Sequence, residues 1–142
     1  MRNKALVRLV REWAGKRVPD YVFKETIYRA LCCAAEFAKY RWSLELLNVS
    51  LQDFNPDTQR RILERQFGDV EFAGTDRDLE RMDIQRRAAD ASSPGDNEPI
   101  IVRLMPDGWE LVEGWHRTMA RLPRDGTTQV LLRAWAGRLP PP

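Results

Sequence analysis

Six consecutive residues, Glu113-Gly114-Trp115-His116-Arg117-Thr118, combine side chains suited to a phosphorylated ligand. Arg117 offers a permanently charged, forked donor set for phosphate oxygens. His116, the one histidine of the chain, adds a donor that switches near neutral pH and can act as an acid. Glu113 is a candidate base or Mg²⁺ ligand, so His116 and Glu113 are the candidate catalytic pair. Gly114 lets the backbone come close to a phosphate, and a helix starting there would add unpaired N–H groups and the positive end of its dipole. Gly114, Trp115, His116, Arg117 and Thr118 form the expected phosphate-binding set. Trp115, like Trp109, has a ring on which a nucleobase can stack; filling the core of a small domain is the competing role.

The flanking residues predict how this segment is held. Pro99-Ile100-Ile101-Val102-Arg103-Leu104 is a β-branched, apolar run that predicts a strand. Pro106-Asp107-Gly108 carries turn chemistry, and 109–113 reads as the returning strand. Gly114 breaks that strand, and 115–122 has helix-forming composition. Residues 129–136 predict a further strand beside the first. Upstream, a strand is expected over 46–51. Asn55 then caps a helix with Pro56 at its first position and Ile62, Leu63 and Phe67 inward, ending at Gly68.

At these residues the chain resembles the ParB/sulfiredoxin superfamily. Pro99, Ile100 and Val102 match its "PI.V" strand, and Gly114, His116 and Arg117 match its G-x-H-R motif at the start of a helix. Leu47 to Pro56 resembles its opening strand and Asn-Pro turn. The resemblance covers roughly residues 46–137 and implies an α+β fold: a small mixed sheet with a hairpin-helix core, bearing an N-terminal helical pair. It also implies ATP or CTP with Mg²⁺ as ligand and a bacterial or phage-infected cytoplasm as setting. Trp115 stands where sulfiredoxins carry their catalytic cysteine, which argues against sulfinic-acid reduction. The ParB motif usually continues Glu-Arg-Arg, so partition-type DNA clamping is not implied.

The remaining sequence sets limits. With 142 residues and 43% hydrophobic composition the chain suits one domain, with 1–41 as a helical extension. Lys+Arg 23 against Asp+Glu 21 leaves +2, too balanced for a surface that binds polyanions everywhere. No run of 18 or more apolar residues is present, and the basic N-terminus is interrupted by charge too soon for a signal peptide, so a cytoplasmic protein without a membrane partner is expected. Leu6, Val10 and Trp13 mark a helix over 2–14, and Asp20 opens another that runs to about Tyr40. Cys32 and Cys33 are neighbours on that helix and read as small core residues in a reducing compartment. Residues 69–74 allow a short strand. Residues 75–87 predict a helix whose Asp76 and Asp78 could hold Mg²⁺, although a solvated face neutralised by arginines explains the same pattern. Ser92-Ser93-Pro94-Gly95 marks a loop.

Three functions follow. One is a nucleotide-binding enzyme or switch acting at Gly114–Arg117, which hydrolyses or transfers a terminal phosphate. The second is a DNA-binding or DNA-cleaving accessory protein using the same site and the arginines of 60–87. The third is a non-catalytic interaction module that works through residues 1–40, where a homodimer interface could also sit.

Overall fold

One mixed sheet organises the chain, and helices cover both of its faces. The computed structural model describes residues 4–15, 17–27, 34–67, 98–123 and 125–142. Strands β1 (Arg41–Val49), β2 (Ile100–Met105), β3 (Gly108–Glu113) and β4 (Val130–Arg138) lie in the order β1-β4-β2-β3. β4 runs antiparallel to β1 and parallel to β2, while β2 and β3 form an antiparallel hairpin. The fold class is α+β, as the sequence led us to expect.

The hairpin follows its turn chemistry. Gly108 takes φ +127°, and a Cβ there would lie 2.9 Å from the Asp53 carbonyl oxygen and 3.0 Å from the Asn55 nitrogen. Its bareness therefore lets residues 53–55 lie against the strand. In that position the Asn55 amide donates to the Trp109 carbonyl at 2.8 Å. The Leu111 amide donates to Thr58 Oγ1 at 3.3 Å. Asn55 also caps α4 (Pro56–Phe67), with Oδ1 accepting from the Thr58 amide at 2.9 Å.

Successive strand residues point to opposite faces, so the central strand β2 serves two cores. On one face Ile100 and Val102 join Ile62 of α4, and Met119 of α5 (Trp115–Arg121). On the other face Ile101 meets the N-terminal layer. That layer consists of α1 (Lys4–Ala14), α2 (Asp20–Val22) with a π-helical turn over Phe23–Ile27, and α3 (Ala34–Phe37). Ala14, Val18, Val22, Phe23 and Phe37 are its buried anchors. Each fully buried large side chain contributes roughly 1.5–3 kcal/mol.

Several expectations change. β1 begins at Arg41, five residues before the expected start, because Arg41, Ser43 and Glu45 are polar members of a strand and hide its period. Leu63 is 37% exposed rather than inward. On α1, Leu6 and Trp13 are 49% and 48% exposed, and the inward residues are Val10 and Ala14. Within the expected second helix the structure describes α2, the π turn over Phe23–Ile27 and, separately, α3, while 28–33 lie outside the described residues. Cys32, Cys33 and the elements expected within 69–97 lie outside the described residues, as does Gly68.

β1 and β4 are also tied by charge. Arg138 pairs with Glu45. A hydrogen bond from Arg138, aided by one from Ser43 and opposed by partial burial, holds the Glu45 carboxyl below its ordinary value of 4.5. A pKa lowered on folding contributes stability above the unfolded-state value and loses it as pH falls through the folded one. Urea titrations below pH 4.5 are therefore expected to show a smaller loss of stability in Glu45→Gln than in the parent.

Candidate functional site

The strand-to-helix corner at Gly114 is built by a bulge and a glycine. Ile101 faces Glu113 and Val102 faces Leu111, which leaves Val112 as the extra residue. Val112 turns into the second core, and the strand ends at Glu113. Gly114 then adopts φ +95° and ψ +32° as the N-cap of α5. A Cβ on it would lie 2.7 Å from Ile100 Cγ2 and 2.9 Å from Ile100 Cβ. The missing side chain thus makes room for β2, where the sequence suggested room for a ligand. The Gly114 amide donates to its neighbour's carboxylate, Glu113 Oε1, at 3.3 Å.

Arg117 turns back from the first turn of α5 toward the start of β2. Its Nη2 donates to the Pro99 carbonyl at 3.3 Å, and its Nη1 lies 3.4 Å from Glu98 Oε2. The Arg117 side chain is 22% exposed and that of Glu98 is 76% exposed, so this ion pair is a loose one. Among the described residues, Arg117 Nε is buried without a hydrogen-bond partner, as is Arg121 Nη2 one turn later. From α2, Tyr21 donates to the same Pro99 carbonyl at 3.0 Å. Burial pushes the Tyr21 hydroxyl above its ordinary pKa; Arg117 opposes this, and Glu98, Glu25 and Glu113 add to it. Among the described residues, Tyr21 and Glu25 of the N-terminal layer, Glu98 before β2, Glu113 of β3 and Arg117 of α5 therefore act on one corner.

Of the expected set, Gly114, Arg117 and Glu113 meet here, and His116 is half-buried in the same helical turn. Thr118 is fully buried, and its Oγ1 donates to the Gly114 carbonyl at 2.9 Å, so its hydroxyl is used within the helix. Trp115 and Trp109 are partly buried against the first core, in the core-filling role. Asp76 and Asp78 lie outside the described residues. Among the described residues no group of three or more His, Cys, Asp or Glu is placed to hold a metal ion. Sequence reasoning missed Tyr21, Glu25 and Glu98. Glu98 stands directly before the Pro99 strand signal, whereas nothing local links Tyr21 to a residue 78 positions away.

Among the described residues no helix is long and apolar enough to cross a membrane. No protein-family model matches the chain, and no match is found among curated proteins or solved structures.

Proposed function

We propose that the β3–α5 corner binds the phosphate groups of a nucleotide, ATP or CTP, as a domain of the ParB/sulfiredoxin-like type. One observation carries this reading: two carboxylates from different segments already converge on the corner's donors. Glu113 meets the Gly114 amide at 3.3 Å and Glu98 meets Arg117 at 3.4 Å. Both contacts are long for charge-assisted hydrogen bonds, so a more highly charged phosphate would compete well for the same donors. The orphaned Nε gives Arg117 a further donor to offer.

Three carboxylates near the corner, Glu25, Glu98 and Glu113, would repel a bare triphosphate. Mg²⁺ is typically held by one or two carboxylates together with phosphate oxygens, and Glu98 with Glu113 fits that donor set. When bound, the metal would neutralise phosphate charge; Arg117 would orient the phosphates, and His116 would donate to them or serve as acid. The DNA alternative has less support. On α4, Arg60 pairs with Asp57 and Glu64, and Arg61 with Asp57, which neutralises part of the basic footprint it needs.

Thermal melts with ATP and CTP, each with and without Mg²⁺, test the proposal. A rise of about 5–10 °C is expected at ligand a hundredfold above Kd, with Mg²⁺ required. Arg117→Ala should lose the shift, and Arg117→Lys should retain part of it. If no nucleotide moves the parent protein's melting point, the proposal fails; salt-sensitive DNA retention without nucleotide would favour the alternative. Release of inorganic phosphate, measured on the same samples, separates an enzyme from a binding module.

A further inference from the structure

We propose that β1 is a self-pairing edge, through which two copies of this chain join into one continuous sheet. The two borders of the sheet differ. On β3, the Trp109 carbonyl and the Leu111 amide are taken by Asn55 and Thr58, and Phe54 forms a bridge to Trp109. β1 has nine residues and, among the described residues, no strand on its outer side. Of the usual protections of an edge it carries only charge, at Arg41 and at Glu45, and Glu45 is paired within the sheet to Arg138. Its sequence RWSLELLNV contains no Pro, Gly or Lys. Its pairing with β4 runs without a bulge from Arg41↔Arg138 to Val49↔Val130.

On the face that carries Trp42, β1 presents two leucines followed by Asn48. Leu44 and Leu46 project from the same face and are 43% and 51% exposed; across on β4, Trp135 lies opposite Leu44, Arg133 opposite Leu46, and Leu131, 40% exposed, opposite Asn48. The two β1 leucines extend the face on which Trp42 and Trp135 pack against the second core, beyond the point where the described helices cover it. Association would bury this strip and satisfy the open backbone groups together.

The strand's own sequence selects a second copy as the occupant. In an antiparallel register with the two-fold axis at Leu44, Leu44 faces Leu44, and Trp42 faces Leu46. On the opposite side Ser43 faces Glu45 and Arg41 faces Leu47. Arg41 then lies diagonal to Glu45 of the second copy, at roughly 7–8 Å. No like charges face each other. Moving the axis to Glu45 would set two carboxylates opposite and is disfavoured.

Sedimentation equilibrium of the full chain should give twice the chain's mass. Leu44→Lys and Leu44→Glu should each halve it by placing like charges at the axis, and an equal mixture of the two variants should restore it. Leu44 is half-exposed, so both variants are expected to keep the fold, checked by circular dichroism and the urea midpoint. If either variant fails to fold, Leu46→Glu takes its place as a single test without the mixing arm: Leu46 is more exposed and faces Trp42 beside the axis, so a carboxylate there would be buried against the ring and should halve the mass. The proposal is overturned if the parent chain stays at single mass at every concentration. It is equally overturned if the dimer survives Leu44→Lys, if the mixed charges fail to re-associate, or if β1 pairs only with a different protein. None of these results bears on the phosphate reading, since no residue of the β3–α5 corner is changed.

Discussion

Gly114→Ala is expected to destabilise the protein by about 2–6 kcal/mol, read from the urea midpoint and the linear extrapolation. Two independent penalties add. At φ +95° an L-residue is strained, which costs about 1–3 kcal/mol. The new methyl would also overlap Ile100 Cγ2, at 2.7 Å, in a core that cannot shift freely, which costs a further amount of about 1–3 kcal/mol. Trimming the neighbour separates the two. Ile100→Ala removes Cγ2, so in a double-mutant cycle Gly114→Ala should cost less in the Ile100→Ala background by part of the steric penalty and by none of the backbone one. A neutral Gly114→Ala would mean that neither the left-handed backbone nor the close approach of Ile100 holds this corner in shape.

The second large effect concerns Arg103, which is 13% exposed on the face covered by the N-terminal layer. Its guanidinium lies 2.8 and 3.0 Å from the two Glu110 oxygens and 3.6 Å from Glu36, and it stacks 5.1 Å from the Phe37 ring and 5.4 Å from that of Tyr40. Arg103→Ala removes both the stem that packs and the charge that neutralises Glu110. A loss of about 3 kcal/mol is expected, since breaking a largely buried pair from one side leaves the other charge uncompensated. Arg103→Met combined with Glu110→Leu should recover most of it, because burying two apolar groups avoids the desolvation that the ions suffer. If the double variant is no more stable than Arg103→Ala, the cost lies in lost ring stacking instead.

The hairpin and its helix are legible in the sequence because their signals are local. Pro106-Asp107-Gly108 encodes the turn, and Gly114 ends β3 where the left-handed backbone requires a glycine. Asn55-Pro56 is likewise a short-range cap. β1 reads short because its polar residues owe their placement to β4, through partners such as Arg138 that lie far along the chain. The same limit hides the corner's full membership. Arg117 and Glu113 sit beside the glycine, whereas Tyr21 is brought in by the packing of a separate layer. A glycine can also serve two purposes that sequence does not separate: Gly114 could have admitted a ligand, and in the fold it admits Ile100.

The sealed border of β3 has a consequence for how the molecule behaves when concentrated. Fibril growth by strand addition needs two usable margins, one to receive each newcomer and one to offer to the next. With the Trp109 carbonyl and the Leu111 amide already engaged by Asn55 and Thr58, that margin is the poorer receiver of a further strand, so association through β1 is expected to stop at a finite particle.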